Sequence, residues 1–183
     1  MNIQELDQYI AKYIQGGFSP ADMAVLKEEI EKLKPGDIYV EIGVDEGRSA
    51  RVAHEYANPD VFKIYIDIHD PTHTPGLNRA EFMEQEKMVG LGKKGFYVHG
   101  DADEFAKVFL RIDSSKFVSL MLIDGHHDYE SVRQNTLMWE PFVKSGGIIL
   151  FHDYDHEDTH RFLDEHYGNK KEVLHNKIVR VRK

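Results

Sequence analysis

The sequence predicts an α/β fold built on a doubly wound, mainly parallel sheet with an antiparallel hairpin at its C-terminal end. Three observations carry that prediction. Five short runs rich in β-branched and aromatic residues alternate with segments of helical length. Each run ends at or near an acid or a histidine. The last two apolar runs, unlike the others, are separated only by Asn176–Lys177. Alternating strands and helices require crossover connections, which give parallel pairing with both faces of the sheet covered. A two-residue connection allows only an antiparallel hairpin.

The elements follow in order. The 36 residues before the first strand read as added N-terminal helices. Within them, "SPADMAVLKEEIEKL" (19–33) opens on Ser19 as N-cap, with Pro20 in the first turn and Asp22 placed to close a capping box. Met23, Leu26, Ile30 and Leu33 fall on one helical face, and Pro35–Gly36 ends the segment. The strand runs are "DIYVEI" (37–42), "VFKIYID" (61–67), "GFYVHG" (95–100), "FVSLMLID" (117–124) and "GGIILF" (146–151). Helices are expected in "RSARVAHEYA", "NRAEFMEQEKMVG", "ADEFAKVFLRI" and "YESVRQNTLMWEPFV". "EVLHNKIVRVR" supplies the hairpin, and "DPTHTPGLNRAEF" (70–82) is a Pro- and Gly-containing lid or surface loop.

The chain of 183 residues is long enough for one domain spanning 1–183. Its net charge is −9, and no basic stripe is visible, so nucleic acid is not an expected partner. The absence of cysteine excludes disulfides, a thiol nucleophile and thiolate metal ligands. The N-terminus lacks a secretory pattern and no apolar run approaches a membrane span, so a cytoplasmic protein is expected.

Open parallel sheets bind ligands beyond the carboxyl ends of their strands. Those ends carry Glu41, Asp67, Asp101, Asp124 and the pair His152–Asp153. Helix capping accounts for some of these acids, Asp128 before "YES" among them. The loop "VEIGVDEGRSA" (40–50) has neither the G-x-G-x-x-G of a dinucleotide site nor the G-K-[ST] of a phosphate loop. Glu41, Asp45 and Glu46 would repel a pyrophosphate, whereas they suit a ligand with a cationic part.

The spacing Glu41-x-Gly43-x-x-x-Gly47, followed by Ser49, resembles motif I of class I S-adenosylmethionine (SAM)-dependent methyltransferases. Asp45 stands where the commonest form of that motif has glycine. The resemblance covers almost all of the chain after residue 36 and implies their Rossmann-like fold, SAM as cofactor, and a small-molecule acceptor. It implies that Asp67 in "IYIDIHD" holds the ribose hydroxyls and that Asp101–Ala102 in "VHGDADE" contacts the adenine. "LIDGHHDYESV…W…SGGIILFHDY" is similar to a small-molecule branch of the family, with Asp124 and His126 beside the cofactor.

More distantly, the chain resembles the catechol and macrolide-sugar O-methyltransferases, which hold Mg²⁺ at the ends of their fourth and fifth strands. The positions carried over are Asp124, His152 and Asp153, with His152 replacing the carboxylate of the sugar type. The catechol type has a lysine base three residues after its first metal acid; that position is His127. His127 is therefore the expected base for methylation at oxygen, with Asp153 or His152 in support. His156 and His160, one turn apart, have the spacing of a helical metal pair but read rather as an acidic, solvated helix start. A metal-dependent hydrolase and a non-catalytic SAM-binding module are the alternative readings. The N-terminal helices could add a substrate-binding element or a homodimer interface.

Overall fold

A computed structural model describes residues 1–12, 16–68, 94–112 and 116–183. The segments 70–82 and 78–90, read as a loop and a helix, lie outside the described residues. Strands β1 (Ile38–Ile42), β2 (Phe62–Asp67), β3 (Gly95–His99), β4 (Val118–Ile123), β5 (Val143–Phe151), β6 (Lys171–His175) and β7 (Ile178–Arg182) form one sheet in the order β3-β2-β1-β4-β5-β7-β6. The first five are parallel; β7 runs antiparallel to both β5 and β6. The described helices are α1 (Ile3–Ile10), α2 (Pro20–Ile30), α3 (Arg48–Tyr56), α4 (Ala102–Ile112), α5 (Tyr129–Trp139) and α6 (Glu157–Tyr167). The chain steps outward from β1 to β3, then returns to the other side of β1 for β4. That reversal opens a crevice between the carboxyl ends of β1 and β4.

Alternation along the strands divides the core. Tyr39, Tyr65, Leu120, Leu122 and Leu150 face α1–α3, where they meet Leu6, Met23 and Leu26. Val40, Ile42, Met121, Ile123 and Phe151 face the other way, against Trp139, Phe162 and Leu163. Each strand side has period two, as a pleated strand buried on both faces requires. The aromatic packing on the second face is anchored where the Trp139 indole donates to the Ala102 carbonyl at 3.0 Å. The apolar face of α1 is covered by this same domain, with Ile3, Leu6 and Ile10 buried.

Several boundaries differ from the sequence reading. The segment expected to be helical to Val143 stops at Trp139, because Pro141 leads into a 3₁₀ turn. β5 accordingly begins at Val143, and a bulge separates the Val118–Val143 pair from the Leu120–Ile148 pair. α2 opens as expected, with Ser19 and Asp22 forming a capping box and Met23, Leu26 and Ile30 buried, but it ends at Ile30 and leaves Leu33 beyond it, partly buried.

Glu41 is the exception on the apolar α1–α3 face. It is fully buried within β1, and accepts hydrogen bonds from the Tyr39 hydroxyl at 2.7 Å and the Ser49 hydroxyl at 2.5 Å. Burial pushes its carboxyl from the usual 4.5 up to about 8, and those two donors offset only part of the effect. The native state thus holds a proton that the unfolded chain releases, so this group's contribution to stability declines as pH rises from about 4.5 to about 8. Glutamine preserves one acceptor and supplies a donor in the same place. We expect Glu41→Gln to flatten the fall in Tm over that interval and to melt no lower than the wild type above it, as measured by calorimetry across pH.

Gly43 follows β1 at φ +84°, and a Cβ there would stand 2.1 Å from the Asp124 carbonyl oxygen. Gly43→Ala combines that overlap with a left-handed conformation costing about 1–3 kcal/mol. The expected result is a lower denaturation midpoint with an unchanged m-value, read by urea unfolding.

Candidate active site

The loop from β1 to α3 is pinned from three sides. The Gly43 amide donates to Ile66 O at 2.9 Å, and the Asp124 amide donates to Ile42 O at 2.8 Å. The Val44 and Asp45 amides both donate to one oxygen of Asp67, at 2.6 and 2.8 Å. Asp45 itself takes φ +48°, the left-handed region that glycine favours and aspartate tolerates. This accounts for an aspartate where the motif usually has glycine. Gly47, at φ +90°, begins α3.

Beyond the strand ends lies a cavity of about 850 Å³. Of the site residues expected from sequence, all but Glu41 and Gly47 line it: Gly43, Asp45, Ser49, Asp67, Asp101, Ala102, Asp124, His126, His127, His152 and Asp153. Glu41 sits beneath the loop, its carboxylate turned to Tyr39 and Ser49. Asp101 also serves as a cap, one oxygen accepting from the Asp103 and Glu104 amides at 2.8 and 3.0 Å. Burial, reinforced by neighbouring carboxylates, pushes the Asp45 carboxyl up; it does the same to Asp103 beside Asp101. A cavity whose acids repel one another is relieved by a ligand carrying positive charge.

At the β4–β5 end three groups converge. His152 Nδ1 lies 2.9 Å from Asp124 Oδ1 and 3.0 Å from Asp153 Oδ2. His127 Nδ1 approaches the same Asp153 oxygen at 3.2 Å, and its ring is half-exposed to the cavity. Asp153 adopts φ +52°, and Lys177 approaches its other oxygen at 3.4 Å. Burial alone would lower the His152 pKa, but Asp124, Asp153 and Asp22 outweigh it and hold the ring charged up to about 12. Burial would raise Asp153, yet the His152 charge brings it down to about 2. Asp124, more deeply enclosed, is pushed up by burial despite His152.

The ligand atoms of Asp124, His152 and Asp153 all lie within 4.8 Å of one another. An octahedral hard cation with ligands at about 2.0–2.1 Å places adjacent ligand atoms about 3 Å apart. The two distances from Nδ1 match that edge. Both His152 nitrogens are buried and make no aligned hydrogen bond despite the short approaches. A nitrogen held against two carboxylates without an in-line proton suits a donor set for a divalent cation.

Sequence reasoning missed the N-terminal wall. Gly16, Gly17 and Phe18 line the cavity, and the Phe18 and His152 rings are 5.0 Å apart. Arg48 ties this wall to the loop, donating to the Phe18 carbonyl at 3.0 Å and pairing with Asp7. Asp22, recognised only as a cap, is fully buried with Oδ2 3.4 Å from His152 Nε2. One signal was available: Asp22 and Glu29 sit seven residues apart on the buried stripe of α2, where apolar residues belong. His156 starts α6, and His160 stacks on Tyr154 at 4.4 Å and meets Asp164 at 3.3 Å.

No curated protein matches the chain. Among solved structures, the O-methyltransferase from Bacillus cereus in complex with SAH is 14% identical with a TM-score of 0.69, covering 100% of this chain and 90% of that one. CalS11, a TDP-rhamnose 3'-O-methyltransferase of calicheamicin biosynthesis, is 15% identical with a TM-score of 0.64, covering 99% of this chain and 92% of that one. At such identities the likeness establishes the fold. No helix among the described residues is long and apolar enough to cross a membrane. A family model described as a methyltransferase domain matches residues 40–154, the segment holding the glycine loop, Asp67, Asp101 and the Asp124–His152–Asp153 group. The chain therefore belongs to the methyltransferase-domain family and is a SAM-dependent methyltransferase of class I fold.

Proposed function

We propose that the enzyme methylates a hydroxyl oxygen of a small molecule, with a divalent cation at Asp124, His152 and Asp153. The observation that carries this reading is the convergence of that donor set with His127 at one end of an acid-lined cavity of nucleoside size. The two solved structures compared above are O-methyltransferases, which supports oxygen as the acceptor atom.

The residues divide the work along the cavity. Asp67 stands at the β2 end to take a vicinal diol, while Ala102 and Asp101 line the neighbouring wall. The glycine loop lets the backbone approach the ligand closely, and Asp45 adds an anion near its cationic part. SAM supplies an electrophilic methyl on sulfur, so the protein's task is alignment of that carbon with the acceptor. A divalent cation supplies Lewis acidity toward an oxygen beside it. His127 receives the hydroxyl proton, and Asp153 orients its ring through Nδ1. His152 is buried, with Nδ1 turned to the Asp124 and Asp153 oxygens at 2.9 and 3.0 Å. We assign it to holding the cation rather than to proton transfer.

Calorimetric titration of SAM, with Mg²⁺ and then with EDTA, tests both components. We expect micromolar affinity and a smaller binding enthalpy in EDTA. Equal enthalpies together with no Mg²⁺ binding in a separate titration would remove the cation. Absence of SAM binding in either buffer would remove the assigned cavity. Asp67→Asn deletes a charged acceptor, worth about 1.5–3 kcal/mol, so SAM should bind about 10- to 100-fold more weakly. His127→Gln should leave SAM affinity unchanged while SAH release in the presence of hydroxyl acceptors falls about 100-fold or more.

A further inference from the structure

We propose that Asp22, on the N-terminal helix α2, is a positioning residue that turns His152 so that Nδ1 faces Asp124 and Asp153. The proposal rests on the reading of those three residues as a cation site.

Asp22 lies outside the segment that matches the methyltransferase domain, which begins at residue 40. Capping accounts for only part of its position. Its Oδ2 accepts from the Ser19 amide at 2.9 Å and the Ser19 hydroxyl at 2.6 Å. A capping acid in the first turn of a helix ordinarily sits at the surface, yet Asp22 has no exposed surface. Burying a carboxylate is costly unless a counter-charge accompanies it. A serine or glutamine could serve a helix start without that cost, so the charge itself needs a reason.

The reason lies across α2. Asp22 Oδ2 is 3.4 Å from His152 Nε2, and Oδ1 is 3.3 Å from His175 Nδ1 on β6. The carboxylate is thus held on one side by the α2 cap and on the other by the C-terminal hairpin. The Phe18 ring, 5.0 Å away, closes a further side of the imidazole. Of the two ring nitrogens, Nε2 faces Asp22 and Nδ1 faces the two site carboxylates at 2.9 and 3.0 Å. A histidine that binds a cation through one nitrogen presents the other, protonated, to an acceptor that fixes its tautomer and angle. Asp22 occupies that acceptor's place.

The test measures binding of Mn²⁺, read from the free-ion paramagnetic resonance signal. Wild type, Asp22→Asn and Ser19→Ala are compared well below their melting temperatures. Asp22→Asn keeps the shape and a capping acceptor but removes the charge; it should bind Mn²⁺ about 10- to 100-fold more weakly. Ser19→Ala removes the cap and keeps the carboxylate; it should lower Tm while leaving Mn²⁺ affinity within about twofold of wild type. Equal affinity in wild type and Asp22→Asn overturns the positioning role and leaves the cation site standing. A wild type that binds no Mn²⁺ overturns the cation site and this role with it. Should Asp22→Asn fail to fold, the wild-type ring nitrogens decide. On adding Mg²⁺, the ¹⁵N signal of His152 Nδ1 should move while Nε2 keeps its proton; ligation through Nε2 instead would overturn the proposal.

Discussion

The close approach of Gly43 to the Asp124 carbonyl is the constraint on which the site depends. A side chain at residue 43 would stand 2.1 Å from that oxygen, so the ends of β1 and β4 can meet only over a glycine. The backbone ladder then runs past the strands themselves: Gly43 donates to Ile66, Asp124 to Ile42 and His152 to Ile123. Three residues beyond three strands are therefore fixed with strand-like accuracy although they belong to loops. The chemistry placed on them inherits the rigidity of the sheet, which is the economical way to hold groups to fractions of an ångström.

That rigidity lets the protein keep charges where a fluid site could not. Asp45 is pushed toward the neutral form by burial and by Glu46, Asp67 and Asp124, and Asp124 by burial and by Asp153, while Asp153 and Asp22 are held ionised by His152. One imidazolium thus balances three carboxylates. Breaking such a group by removing one member leaves an uncompensated charge, which costs far more than the intact group contributes. The arrangement makes little sense as a means of stabilising the fold. It is intelligible in the proposed role, with a cation at one end of the cavity and the SAM sulfonium farther along it.

The sheet was legible because its central strands are buried on both faces. Continuous apolar runs such as "SLMLI" admit few other readings in a chain whose helices alternate with them, and the two-residue gap at Asn176–Lys177 identified the hairpin. The strand-end rule then collected the lining residues, since position along a strand fixes which groups reach the crevice. Glu41 escaped the rule: it lies one residue short of the strand's end, where the pleat points it into the core and not into the cavity. Pro141 was present in the sequence, yet the apolar residues on either side of it disguised the change from helix to strand. Asp22 and Phe18 were not legible as site residues because their neighbours in space, His152 and Arg48, are distant in sequence. Only the packing of α2 across the strand ends joins them.

That packing changes what the N-terminal segment is for. By hydropathy α1 and α2 are cladding, and their apolar stripes do bury Leu6, Met23 and Leu26 against the sheet. But three acids that interrupt or border those stripes each meet a cation: Asp7 meets Arg48, Asp22 meets His152, and Glu29 meets Arg180 of β7, the strand that pairs with β5. A helix that served only to cover the sheet would gain nothing from burying acids, since apolar residues would pack there at no electrostatic cost. Each acid meets a cation on the loop, at the site or on the hairpin. Residues from 40 onward contribute most of the cavity, Gly16, Gly17 and Phe18 complete its wall, and Asp22 backs His152 from behind.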